Sequence, residues 1–104
     1  MTRIEVKNQM GSEVVTREHG KKLRSLLEKA LSDAPVTIDF AGTQITSVSF
    51  FDESFGVLAK KYGGETLLSK IKLEEIDPFD LALLRDIVAS RSGEAHKRSK
   101  AVAH

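Results

Sequence analysis

VTIDFAGTQITSVSFFDESFGVLAKKYGG, residues 36–64, changes its apolar period once, and that change decides the fold. Val36, Ile38 and Phe40 alternate with Thr37 and Asp39 in a short β-branched run, which predicts a central strand. Ala41-Gly42-Thr43-Gln44 predicts a turn, with Ile45 and Val48 as isolated apolar anchors in the loop beyond it. From Phe50 to Tyr62 the spacing lengthens. Phe51, Phe55, Leu58 and Tyr62 recur at intervals of four, three and four, the stripe of an amphipathic helix. Ser49 stands three residues ahead of Asp52 and four ahead of Glu53, so its hydroxyl can cap a free amide while both carboxylates face the positive helix end. Gly63-Gly64 then stops the helix, because glycine readily takes the left-handed conformation.

The same two periods organise the flanks. Thr2 to Lys7 alternates with Ile4 and Val6 on one side, the pattern of an edge strand; Asn8 to Ser12 reads as a turn and Glu13-Val14-Val15 as a short extended piece, so the two can form a hairpin. Leu23, Leu26, Leu27, Ala30 and Leu31 make the stripe of a first helix over residues 17 to 32, with Thr16 as N-cap and Pro35 beyond its end. Lys70 to Ile76 alternates through Ile71 and Leu73 and predicts another strand. Asp77 caps a third helix that begins at Pro78 and buries Leu81, Leu84, Ile87 and Val88. The order β, (β), α, β, α, β, α implies parallel neighbours joined by right-handed crossovers: an α/β sandwich in which a mixed, mostly parallel sheet is covered by three helices. In such folds sites favour the loops at the carboxyl ends of strands, here residues 42 to 50.

The chain of 104 residues, 40% hydrophobic and 30% charged, fits one domain over residues 1–91, followed by a polar, flexible extension over 92–104. No apolar run approaches the ~20 residues that cross a bilayer, which argues against a membrane span. The absence of cysteine removes thiol chemistry and fits a cytoplasmic location. Sixteen Lys and Arg against fifteen Asp and Glu leave +1, so no global field recruits nucleic acid. Binding has to come from local patches.

Few residues suggest chemistry. His19, His96 and His104 are too scattered for a metal site, and Gly63-Gly64 lacks the spaced glycines and lysine of a phosphate loop. No nucleophile elbow is present, although His19 beside a serine in space would reopen catalysis. Asp39, Asp52 and Glu53 read as caps and solvated carboxylates before they read as an acid–base pair. Arg91, Lys97, Arg98 and Lys100 against Glu94 give the extension +3, but it has no aromatic residue to stack a base. Arg17, His19, Lys21, Lys22 and Arg24 make the start of the first helix basic. The remaining signal is the cluster Thr46, Ser47, Ser49 and Ser54 just before or within the first turns of a helix, where a phosphate would meet the helix dipole or clash with Asp52 and Glu53.

Residues 36–42, Ile45-Thr46-Ser47, Ser49-Phe50-Phe51-Asp52-Glu53 and Phe55-Gly56-Val57-Leu58 together resemble the STAS-like domains of the DUF4325 group, as do residues 16–24 and Leu81-Ala82-Leu83-Leu84-Arg85. The similarity spans about residues 14 to 91. More distantly the chain is similar to bacterial anti-sigma factor antagonists, in which a serine or threonine at a helix start is phosphorylated by a partner kinase. The resemblance implies a signalling module without enzymatic activity or cofactor, regulated through its affinity for a GHKL-type ATPase or kinase. Two alignments place the phospho-acceptor: matching helix starts puts Ser49 there, whereas matching Phe55-Gly56-Val57-Leu58 puts Asp52 there, a fixed carboxylate. The Asp-Ser-Ser/Thr-Gly pattern of the antagonists is not intact here.

The expected function is therefore partner docking through Thr46, Ser47, Val48, Ser49, Phe50, Asp52 and Glu53, with Val48 or Phe50 giving apolar contact and the two carboxylates giving charge complementarity. A second class of function is a small regulator touching nucleic acid through the basic extension and the first helix. The exposed edge strand also allows a homodimer, with no face selected by the sequence.

Overall fold

The β-branched run at residues 36–39 forms the middle strand of a three-stranded parallel sheet. The computed structural model describes residues 2–45 and 47–103, with side chains through residue 92. In chain order the elements are β1 (Thr2–Glu5), α1 (Val6–Met10), β2 (Val14–Val15), α2 (Arg17–Ala30), β3 (Val36–Asp39), β4 (Gln44–Ile45), α3 (Val48–Phe51), α4 (Val57–Tyr62), α5 (Gly64–Ser69), β5 (Ile71–Glu74) and α6 (Pro78–Ala103). A 3-10 turn, Leu31–Asp33, ends α2, and a π-helical turn, Asp52–Gly56, joins α3 to α4 into one rod.

The main sheet runs β1-β3-β5, with Ile4, Ile38 and Leu73 level across it. Alternation sorts its faces. Ile4, Val36 and Ile38 are buried, and Ile71 and Leu73 pack against the same core. The opposite face carries Arg3, Thr37, Asp39, Lys72 and Glu74, where Arg3 donates to Asp39 and to Glu74 at 2.7 Å each. The buried apolar side chains thus collect on one face, and the other face stays polar, with Asp39 buried under Arg3, although all-parallel sheets are usually covered on both.

Several elements differ from the sequence reading. Val14-Val15 forms no hairpin with β1; β2 pairs parallel with β4, Val14 opposite Gln44 and Val15 opposite Ile45. The reason is α1, which turns Val6 and Met10 into the core where a turn was expected. Gly63 does end α4 at φ 88°, but α5 begins at the next residue. Helix α6 is capped as expected, the Phe79 N–H donating to Asp77 Oδ1 at 2.8 Å. The helix runs to Ala103, beyond Val88, the last residue of its expected apolar stripe. A helical ladder satisfies its own backbone groups and does not need an apolar stripe to continue.

The core centres on the α3–α4 rod. Phe50, Phe51 and Phe55 are fully buried; Phe51 touches Phe50, Phe55 and Phe40 with ring centroids 5.6, 6.2 and 6.3 Å apart. Close helix approach depends on two glycines. A Cβ on Gly20 of α2 would lie 2.5 Å from the Phe50 carbonyl oxygen, and one on Gly56 would lie 2.8 Å from Asp52 Oδ1 and 3.1 Å from Ile87 Cγ2 of α6. The rod is therefore wedged between α2 and α6, which is why it buries more than one stripe.

Candidate functional site

Parallel pairing of β2 with β4 sets two helix starts next to each other. One residue after β2 comes the α2 N-cap, Thr16; two residues after β4 comes the α3 N-cap, Ser47. The two positive helix ends are linked by side chains: Arg17 Nη2 donates to Ser49 Oγ at 3.1 Å. At the α2 start the Thr16 N–H donates to His19 Nδ1 at 3.1 Å, so the His19 ring acts as an acceptor that closes its own helix end. Its other close polar neighbour is the Thr16 hydroxyl at 3.4 Å.

At the α3 start the cap is Ser47, not Ser49. Ser47 Oγ accepts from the Ser49 N–H at 3.1 Å, and its carbonyl accepts from the Phe50 N–H at 3.1 Å. The helix starts two residues earlier than the apolar spacing indicated, so Ser49 sits inside the first turn with its hydroxyl turned to Arg17. Val48, between the two serines, is 55% exposed. Phe50 is fully buried, its backbone against Gly20 of α2 and its ring against Phe51, because helix burial on several sides claims residues off the expected stripe. Thr46 lies outside the described residues.

The two carboxylates are already engaged within the chain. Arg91 of α6 donates Nε to Asp52 Oδ1 at 2.9 Å and Nη2 to Asp52 Oδ2 at 2.7 Å, a bidentate pair. Arg24 of α2 donates to the Glu53 carbonyl at 3.1 Å and stands 3.4 Å from Glu53 Oε2. Both pairs are about one-third exposed or less. Asp39 lies apart from them, on the polar sheet face, held by Arg3 and by the Ala41 N–H at 2.9 Å. Asp39, Asp52 and Glu53 thus serve three different contacts. The π-helical turn that Asp52 and Glu53 open is fastened from inside, where the buried Ser54 hydroxyl donates to the Phe50 carbonyl at 2.6 Å.

Four cations in the first turns of α2 are similarly occupied. Besides Arg17 and Arg24, Lys21 reaches Glu18 at 3.3 Å and Lys22 donates to the Gln9 carbonyl at 2.7 Å. Sequence reasoning identified these residues as basic without seeing their partners, which lie up to 32 positions away. What the geometry leaves at this end of the molecule is an exposed apolar tip, Val48, a half-buried hydroxyl, Ser49, and the Arg17 guanidinium on it. Among the described residues, no helix is long and apolar enough to cross a membrane, and no three His, Asp or Glu side chains gather to hold a metal ion.

The family model described as a STAS-like domain of unknown function (DUF4325) matches residues 19–80, more than half of the chain, from the first turn of α2 into the start of α6. No curated protein and no solved structure matches the chain.

Proposed function

The chain belongs to the family of STAS-like domains of unknown function (DUF4325), and from that premise we propose that it is a regulatory protein-interaction module that binds without catalysing a reaction. Its docking surface is the α3 start, with Val48 as the apolar contact and Ser47, Ser49 and Arg17 as the polar rim. The observation that carries this reading is the exposure of Val48 between two hydroxyls, at a helix start whose other apolar residues, Phe50 and Phe51, are buried. A side chain 55% exposed at such a place contributes little to the fold and much to a contact.

The partner is a protein of the GHKL ATPase or kinase type, and Ser49 is the residue it modifies. A phosphate on Ser49 would meet the first-turn amides of α3 and the Arg17 guanidinium already on that hydroxyl. The like-charge clash with Asp52 and Glu53 is lessened because Arg91 and Arg24 hold those carboxylates. The added charge would cover Val48 and weaken apolar docking. Asp52, the alternative acceptor position, is tied to Arg91 and serves the fold.

Affinity capture with the full chain, followed by mass spectrometry for bound proteins and for phosphoserine, tests the reading. Wild type and Ser49→Ala retain an ATPase-type partner, while Val48→Glu and Ser49→Asp lose it by about tenfold or more. Equal capture by all four chains removes the α3 start from the function. Recovery of nucleic acid instead, lost on raising the salt and on deleting residues 92–104, replaces this reading with the nucleic-acid one.

A further inference from the structure

Among the described residues the main sheet ends on β5, which is hydrogen-bonded to β3 on one side only. The Val36 N–H donates to the Lys70 carbonyl and the Phe40 N–H to the Glu74 carbonyl. By the two-residue period of a strand, Lys72 also faces β3, and Ile71 and Leu73 direct their backbone groups outward. A groove lined by the aliphatic residues Leu68, Ile71, Leu73, Ile76, Leu81 and Leu84, with Arg85 among them, runs beside this edge. Beyond the strand, the first turn of α6 carries Phe79, 87% exposed. On the polar face, Lys72 and Glu74 stand in line with side chains 71% and 32% exposed.

We propose that the β5 edge is a homodimer interface, in which β5 pairs antiparallel with β5 of a second copy about a two-fold axis at Leu73. The charge order of the strand selects both occupant and register. Outward-facing residues pair with outward-facing ones in an antiparallel ladder, so the strand can centre on Lys72, Leu73 or Glu74. Centring on Lys72 sets Lys72 against Lys72, and centring on Glu74 sets Glu74 against Glu74. Centring on Leu73 sets Lys72 against Glu74 twice, at the non-hydrogen-bonded positions where side chains approach most closely. The carboxylate can accept it: Arg3 binds Glu74 Oε1 at 2.7 Å, whereas Lys72 of the same strand stands 3.7 Å from Oε2. Leu73 then meets Leu73 on the apolar side and extends the groove across the axis. The opposite edge, β1, is less suited, since Arg3 is turned inward to Asp39 and Glu74 and the chain enters α1 at Val6.

This interface is separate from the α3 start and does not rest on the docking function proposed there. Sedimentation equilibrium of the full chain at low salt tests it, with circular dichroism confirming that each variant is folded. Wild type dimerises; Lys72→Glu raises the dimer Kd by about tenfold or more, and Lys72→Glu with Glu74→Lys in the same chain returns it to within about threefold. The chain has no cysteine, so Leu73→Cys supplies a second readout. Oxidation should link two copies, because facing residues of a hydrogen-bonded pair have Cα atoms about 5.5 Å apart, within disulfide reach. A wild-type chain that stays monomeric to about 1 mM, a dimer indifferent to Lys72→Glu, a double variant that fails to recover, or an unlinked Leu73→Cys chain each overturns the proposal.

Discussion

Arg91 holds Asp52 with two parallel donors, at 2.9 and 2.7 Å, across 39 residues of sequence. The pair fastens α6 to the π-helical turn at the point where the would-be Cβ of Gly56 already crowds Asp52. Asp52→Asn keeps the shape and removes the charge. Because the pair is about one-third exposed, the expected loss is about 1 kcal/mol. Urea midpoints of the two chains should differ accordingly, and the gap should narrow in about 1 M salt.

Gly20→Ala should destabilise, against its helix propensity. Alanine gains about 1 kcal/mol over glycine in a helix interior, but its Cβ would stand 2.5 Å from the Phe50 carbonyl oxygen and 3.1 Å from Phe50 Cα, which are backbone atoms that cannot swing away. Overpacking of this kind costs about 1–3 kcal/mol. A lowered midpoint on thermal or urea unfolding is expected, and a raised one would mean that α2 can move off the rod.

The two serines at the α3 start should separate in their effects. Ser47→Ala removes the oxygen that accepts from the Ser49 N–H and should cost about 1 kcal/mol. Ser49→Ala removes only a partly exposed acceptor for Arg17 and should stay within about 0.5 kcal/mol of wild type. Denaturant titration of both variants checks the order, and a larger loss at Ser49 would return the cap to that residue.

Burial holds the Asp80 carboxyl above its ordinary value, and the neighbouring Asp77 charge raises it further. The folded chain therefore keeps the Asp80 proton to higher pH than the unfolded chain, so stability falls as pH rises through that window. Asp80→Asn should match wild type in acid and gain on it as pH rises. Paired urea midpoints from about pH 3 to about pH 7 measure this, and a difference that does not change with pH would contradict it.

Local rules carried the sequence reading a long way. The central strand at Val36–Asp39, helix α2 with its Thr16 cap, and the Asp77-Pro78 start of α6 are each set by spacing, capping chemistry or fixed φ within a few residues. The α/β class and the parallel order follow from their succession, and the family was readable from the residues of α3 and its approach.

The composition of the α3 start was equally legible, and its roles were not. Whether Phe50 or Val48 meets solvent, and whether Ser47 or Ser49 caps, turns on a two-residue shift of the helix start and on how many neighbours wedge the rod. The pairing of β2 with β4, the Arg17–Ser49 bond and the Arg91 grip on Asp52 join residues 30 to 39 positions apart. No period or propensity encodes such contacts. By itself the sequence determined which segments coil, extend and turn, because those choices are made among near neighbours. Only the tertiary structure decided which side chains the assembled elements bury, tether or leave at the surface, because burial depends on what packs on every side.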